Sequence, residues 1–328
     1  MKSKVLLFMV GAWICSIGAL SAQSVQTATL QKSDGVQVFY GMDALNDAVI
    51  TAQDGNVIYL SAGDFNGLSN VQKSIKIIGS GGFNAIEAKN TVIRGLQTWR
   101  NGSYTDYLEF EGFVVKGTTT LYQSSMVKME KISFEGDCNL QDVNNIEISS
   151  SLVLQYFRFS YNSCINTVIA NCIINCLANG PVLGSTVLVS NSIIYALDYA
   201  EAVRAISLKN NIIVANQYGD IPASVNNNVF TGAGNFPDIT NQSGNWENVV
   251  LSDLFVNQPE NKWDPTYDYH LKNPANYTRP NDTQAGIYGG VFPWNPVPSN
   301  PQILESKVEP VTTNDGKLNF QIKAEAQQ

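Results

Sequence analysis

The sequence predicts an all-β protein built as a parallel β-solenoid of roughly ten turns, and three observations lead there. First, an apolar–x–apolar pattern recurs at Leu108-Glu109-Phe110, Val127-Lys128-Met129, Ile146-Glu147-Ile148, Thr167-Val168-Ile169, Val187-Leu188-Val189 and Ile206-Ser207-Leu208. The starts are 19, 19, 21, 20 and 19 residues apart. Such alternation reads as strand, and a fixed period near 20 residues reads as one turn of a repeat. Second, a short β-branched run follows within a few residues, as in Ile173-Ile174, Ile193-Ile194 and Ile212-Ile213. Third, helical i, i+3, i+4 spacing is scarce between Asp106 and Phe230, where Ile, Val, Asn and Ser abound. One turn cannot bury its own apolar face; turns stacked about 4.8 Å apart bury a continuous interior.

The elements follow in order. Residues 1–22 read as a signal peptide: Lys2 and Lys4, an uncharged apolar run from Val5 to Leu20, then Ser21-Ala22. An uncleaved anchor is the alternative, but sixteen residues are short for a bilayer span, and no later stretch is long and apolar enough. Residues 23–295 hold the solenoid. Val57-Ile58, Ser74 to Ile78, Val92-Ile93 and Ala223 to Phe230 extend the series to roughly ten turns. Asn171, Asn191, Asn210 and Asn227 precede the second apolar run of successive turns. They are expected to bend the chain and to hydrogen-bond from turn to turn. Gly79, Gly95 and Gly112 are expected to mark one corner that needs positive φ.

The opening residues carry a family resemblance. Met42-Asp43-Ala44-Leu45-Asn46-Asp47-Ala48 is followed by Asp54-Gly55-Asn56-Val57-Ile58-Tyr59-Leu60, Ala62-Gly63-Asp64-Phe65 and Ser74-Ile75-Lys76-Ile77-Ile78-Gly79. Together these resemble the right-handed parallel β-helix proteins of the pectin-lyase-like superfamily, in particular exported bacterial ones, over about residues 36 to 295. The resemblance implies a right-handed parallel β-helix with a short N-terminal helix capping its open end. Leu45, Ala48, Val49 and Ala52 suit that helix, with Asp43 as N-cap. A fold shared by lyases, hydrolases, esterases and non-catalytic proteins says little about activity.

After Asn235 the repeat decays into a stretch rich in Trp, Tyr and Pro. Its segments Asp268 to Pro274 and Ala285 to Gly290 also resemble the closing turn of these proteins. The aromatics are expected to cover the last open turn, with a sugar-stacking platform as the alternative. Residues 296–328 read as a linker and a short β tail, with one strand at Lys317 to Lys323 after an Asp315-Gly316 turn.

Composition narrows the function. The chain has 328 residues, a formal net charge of −8 and a single histidine, His270. Loss of a signal carrying two lysines and no acid leaves −10. An acidic balance without a basic cluster argues against nucleic acid, and one histidine argues against a His-rich metal centre or a Ser-His-Asp triad. Cys138, Cys164, Cys172 and Cys176 remain after cleavage, either as buried thiols or with a disulfide, in one of three pairings if all four bridge.

Three outward clusters are site candidates. Glu109, Lys128 and Glu147 should stack on adjacent turns beside Glu111 and Glu130, with Lys131 next to them. That column is a candidate for acidic-sugar binding or for calcium, held by Glu111 and Glu130. The connection from Ala196 to Arg204 gathers Asp198, Glu201 and Arg204 as catalytic candidates, with Tyr195 and Tyr199 as substrate-binding ones. Tyr156, Phe157, Arg158 and Tyr161 form a third group. The aspartate pattern of galacturonan hydrolases is absent: there is no Asn-x-Asp followed by Asp-Asp and Gly-His. The expected function is therefore an exported envelope protein that binds polysaccharide. It would act in the periplasm, at the outer cell surface or outside the cell. A lyase acting on an acidic glycan by β-elimination and a structural or adhesive spacer are the alternatives.

Overall fold

A computed structural model describes residues 25–83, 90–159, 163–182, 184–198, 205–214, 223–232, 241–299, 302–308 and 320–325. Residues 1–22, expected to be a signal peptide, therefore lie outside the described residues. The chain begins with an antiparallel hairpin, β1 (Thr27–Lys32) and β2 (Gly35–Tyr40), and β1 pairs antiparallel with β3 (Val57–Leu60). From β3 onward the first sheet is parallel. It runs through Lys76–Ile78, Leu108–Glu111, Ser125–Glu130, Val143–Ser149, Cys164–Ala170, Val187–Ser190, Ile206–Lys209, Ser224–Asn226 and Gln242–Ser243. The register follows the repeat read from the sequence: Leu108, Val127, Ile146, Thr167, Val187 and Ile206 lie side by side. All six are buried, because successive side chains of a strand alternate faces and theirs point inward.

The solenoid has about eight turns rather than roughly ten. Val92-Ile93 does not open a turn of its own. It belongs to the second sheet, in the turn begun by Lys76–Ile78, and pairs with Val114-Val115. The last strands are also only two or three residues long.

Residues Ala44–Thr51 form α1, which buries Ala44, Leu45, Ala48 and Val49 against the first turns. Asp43 makes no side-chain capping bond; its carboxylate accepts instead from the Asn66 amide at 2.6 Å.

One corner repeats from the third turn onward. Gly112, Lys131, Ser150, Asn171, Asn191, Asn210, Asn227 and Gly244 all have φ between 47° and 71°, the left-handed region that Asn and Gly tolerate best. The expected asparagine column is thus the bend, but its side chains do not bond from turn to turn. That ladder sits one residue later. Asn211 Oδ1 accepts from the Ser192 amide, Asn228 Oδ1 from the Asn211 amide, and Asn245 Oδ1 from the Asn228 amide, each at 2.9 Å. Inside a dry core these bonds satisfy backbone groups that water cannot reach. Of the three glycines expected to need positive φ only Gly112 has it; Gly79 lies at the same corner with an ordinary backbone, kept small by the Gly112 carbonyl 2.3 Å from where a β-carbon would sit, and Gly95 lies against Gly67 on another corner.

The doubled isoleucines have a physical meaning. Ile174, Ile194 and Ile213 point into the solenoid, while Ile173, Ile193 and Ile212 point out of the second sheet and are equally buried. The C-terminal region covers them. Trp246, Trp263, Tyr267, Tyr269, Tyr277 and Tyr288 pack with Leu254, Phe255 and Ile287 against this outer face. Trp246 does extend the last turn, bridging to Val229, but the other aromatics cover the side of the solenoid, where unpaired apolar surface lies.

From Tyr277 the chain runs back along the asparagine corner as a strap. Asp282 accepts from the Asn210 and Asn227 amides at 2.9 and 3.0 Å and pairs with Lys209 at 3.1 Å. Asn191 donates to the Gln284 carbonyl, and Asn171 to those of Ile287 and Gly289. Gly286, at φ +82°, takes a left-handed backbone that favours glycine, and at Gly289 a β-carbon would collide with the Gln284 carbonyl, so the strap can fold this closely only with glycine there.

The four cysteines are free and buried; burial pushes the Cys164 thiol up to about 12. The tail holds two strands rather than one, Gln302–Val308 paired antiparallel with Phe320–Glu325. Asp315 and Gly316 lie outside the described residues.

Candidate functional site

In the N-terminal half each turn has a third short strand: Leu68–Ser69, Leu96–Trp99, Thr119–Tyr122 and Cys138–Gln141. Glycines turn the chain tightly between the second and third strands; a β-carbon on Gly117 would meet the Arg94 carbonyl at 2.4 Å. Alternation buries Leu96, Thr119, Leu121, Cys138 and Leu140 and turns Gln97, Trp99, Thr120, Tyr122, Asn139 and Gln141 outward. Trp99 lies directly opposite Tyr122, and Tyr122 opposite Gln141. The two rings remain 46% and 37% exposed, so this face is uncovered where the second sheet is sealed.

The residues that follow these strands line a cavity of about 280 Å³. Its walls include Arg100, Asn101, Gln123, Ser125, Asp142 and Asn144. Because Arg100 follows Trp99, Gln123 follows Tyr122 and Asp142 follows Gln141, the aromatic strip ends at the lip of the cavity. Gln123 and Asp142 bend the chain there with φ of 43° and 57°.

Arg100 is fully buried at the base of this corner. Nη1 donates to the Ser125 and Met126 carbonyls at 2.9 and 3.0 Å, and Nη2 to the Ser74 hydroxyl and the Asp106 carbonyl at 2.5 and 3.0 Å. It thereby ties three successive turns together, with the Tyr104 ring stacked on it at 3.6 Å. Burial lowers its pKa from the ordinary arginine value, and Tyr104, Asp54 and Asp106 only partly offset that. Polar walls beside exposed aromatic rings can take hydroxyl groups and an apolar ring face together.

The sequence candidates fall elsewhere. Glu109, Lys128 and Glu147 do stack on adjacent turns of the first sheet. Glu111 is not an open ligand: it is 3% exposed. Its carboxylate pairs with Lys76 at 2.9 Å and Lys131 at 3.4 Å, and takes the Ser299 amide and hydroxyl at 2.7 and 2.9 Å. The end of the strap covers it. Burial alone would raise its pKa, but Lys76 and the Ser299 donors outweigh that and hold it below the usual glutamate range. Glu130 pairs with Lys128 and Lys131 at 3.3 and 3.8 Å, so the charges of this column are spent on one another. Among the described residues no group of three or more His, Cys, Asp or Glu side chains gathers as a metal site.

Tyr195, expected on an exposed connection, is buried under the C-terminal cover, where its hydroxyl accepts from Gln258 at 3.1 Å. The strand Ile193–Asp198 continues through the start of that connection, so Asp198 ends a strand. Tyr199, Glu201 and Arg204 lie outside the described residues, as does Tyr161. Of the third group, Phe157 is buried in the core, whereas Tyr156 is exposed and stacks under Arg158, which pairs with Asp137.

Trp99, Tyr122 and the cavity were missed by the sequence reading. Their signal was present: Leu96-Gln97-Thr98-Trp99 and Thr119-Thr120-Leu121-Tyr122 both alternate and both end on an outward aromatic. No protein-family model, no curated protein and no solved structure matches this chain.

Proposed function

We propose that this is an exported cell-envelope protein of the right-handed, pectin-lyase-like β-helix type, and that it binds a polysaccharide on the third face of its N-terminal half. The observation that carries the reading is the pair of exposed rings Trp99 and Tyr122, one turn apart and at the lip of a polar cavity. A pyranose ring has an apolar C–H face and a rim of hydroxyls. The first suits an aromatic ring, and the second suits Gln97, Gln123, Gln141, Asn139 and Asn144. The charged column at Glu111 and Glu130 supports a lyase less well, since its groups are already neutralised and partly covered.

The test is binding of the purified protein to a panel of neutral and acidic polysaccharides, with absorbance of unsaturated product followed in the same samples. Trp99→Ala and Tyr122→Ala are each expected to weaken retention about tenfold, roughly 1.4 kcal/mol, with an unchanged melting temperature. Failure of the wild-type protein to bind any polysaccharide, or full binding by both variants, would defeat the reading. Appearance of unsaturated product would replace it with the lyase.

A further inference from the structure

The N-terminal pole carries a set of exposed apolar side chains centred on a regular strand. Val25, Val36, Tyr40 and Ile50 are 58%, 65%, 68% and 76% exposed, and Val38 is 42% exposed. Three of them belong to β2, the outermost strand of the first sheet, whose second edge pairs with nothing among the described residues. The hairpin turn is Ser33-Asp34, with Lys32 opposite Gly35. In a two-residue hairpin that closing pair exchanges both hydrogen bonds, and the pairs then alternate. Gly35, Gln37 and Phe39 therefore direct their backbone groups to β1. Val36, Val38 and Tyr40 direct theirs to the free edge.

Natural sheets blunt such an edge with lysine, proline, a bulge or a covering segment. The stretch Gly35–Tyr40 has no charge and no proline, and its register with β1 is continuous without a bulge. Phe39 packs inward and α1 packs on the hairpin, so the strand is held in place rather than loose.

We propose that two copies of this chain join head to head through β2, antiparallel, about a two-fold axis at Val38. Val38 of one copy then faces Val38 of the other, and Val36 faces Tyr40. The residues whose backbone groups point to the free edge become the hydrogen-bonded pairs, and their side chains merge into one apolar strip. A self-complementary patch of this kind is what an isologous dimer requires. Val25 continues the same face of β1 by alternation and lengthens the strip; a specific interface needs about 1,000 Å² at the least, which an isologous pairing approaches by burying both copies of the strip at once. The third face and its cavity stay free in this arrangement, so the dimer would present two glycan-binding faces.

The experiment is light scattering of the purified protein across a micromolar concentration series. The expected result is a mass twice that of one chain. Val38→Pro removes the N–H on the axis, and Val38→Lys sets two like charges against each other; each should weaken association at least about tenfold. Circular dichroism checks that the variants fold, and the lysine variant decides if the proline variant does not. A monomer at every concentration, or a dimer that the folded variants leave intact, would overturn the proposal. A monomer with Val36, Val38 and Tyr40 amides protected from exchange would assign the edge to the chain's own N-terminal residues, and would also overturn it.

Discussion

The two halves of the solenoid solve the same problem differently. Up to Gln141 each turn has three short strands, its left-handed bends fall on Gly112 and Lys131, and the third face stands open with Trp99 and Tyr122 on it. From Leu152 onward the second and third strands fuse, as in Leu152–Phe159, Ile173–Ala178 and Ile193–Asp198. There the bends, after Ser150, are all asparagine from Asn171 to Asn227, an internal amide ladder runs through Asn211 and Asn228, and the outer face is apolar. That outer face is sealed by the chain's own C-terminal aromatics and strap. The same residue type thus has opposite roles: Trp263 stacks on Tyr269 inside a cover, while Trp99 waits on an open face. What separates them is whether the sheet beneath is apolar on both sides. A two-sided apolar sheet must be covered from within the chain; a one-sided sheet is free to meet a ligand.

Several changes would break or sharpen this contrast. The largest effect is expected from Asn211→Leu in the sealed half. It strands the Ser192 amide and the Val189 carbonyl in the core, and should cost about 3–5 kcal/mol in urea unfolding. Ser151→Ala, at the corresponding place in the preceding turns, frees the Ile132 amide and removes one of the two donors to the Ser149 carbonyl, which keeps the Lys131 amide; it should cost about 1–2 kcal/mol. Equal losses would remove the distinction between the halves.

Ile193→Ala opens a cavity between the second sheet and its cover and should cost about 2–4 kcal/mol. Trp99→Ala, on the open face, should change stability by no more than about 0.5 kcal/mol. Melting curves of both variants would settle whether one aromatic-lined face is structural and the other is not.

The strap joins the halves, since it starts beside Asn227 and ends on Glu111. The Glu111 carboxyl is held below its ordinary value of 4.5 when folded. A depressed folded pKa stabilises above the unfolded value and is lost as pH falls through the folded one. The end of the strap near Ser299 should therefore be held at neutral pH and begin to loosen below about pH 4.5. Hydrogen exchange at the Ser299 amide, compared with that at Asp282, would report it. Glu111→Gln should loosen the same end at neutral pH. The smallest effect concerns the thiols: a disulfide reagent should leave Cys138, Cys164 and Cys172 unreacted until the chain unfolds.

The repeat was legible because a strand announces itself through alternation and a solenoid through period. Leu108 through Ile206 could be aligned by counting, and the register followed. The asparagine column was legible as a bend but not as a partner of the strap, since Asn171 and Ile287 are 116 residues apart. The candidate site was only partly legible. Outward columns such as Glu109, Lys128 and Glu147 follow from alternation. That Glu111 is covered by Ser299, 188 residues later, follows from nothing local. Tyr195 was placed on the surface for the same reason: its neighbours in sequence are a strand end, and its cover comes from Gln258 and Tyr269.

The sequence by itself determined the strands, their stacking, the inward residues and the bends, because those depend on side-chain period and on which residues tolerate a left-handed backbone. Only the tertiary structure decided which outward faces are sealed. Sealing depends on where a distant C-terminal segment packs. It follows the largest unpaired apolar surface, which exists only once the turns have stacked.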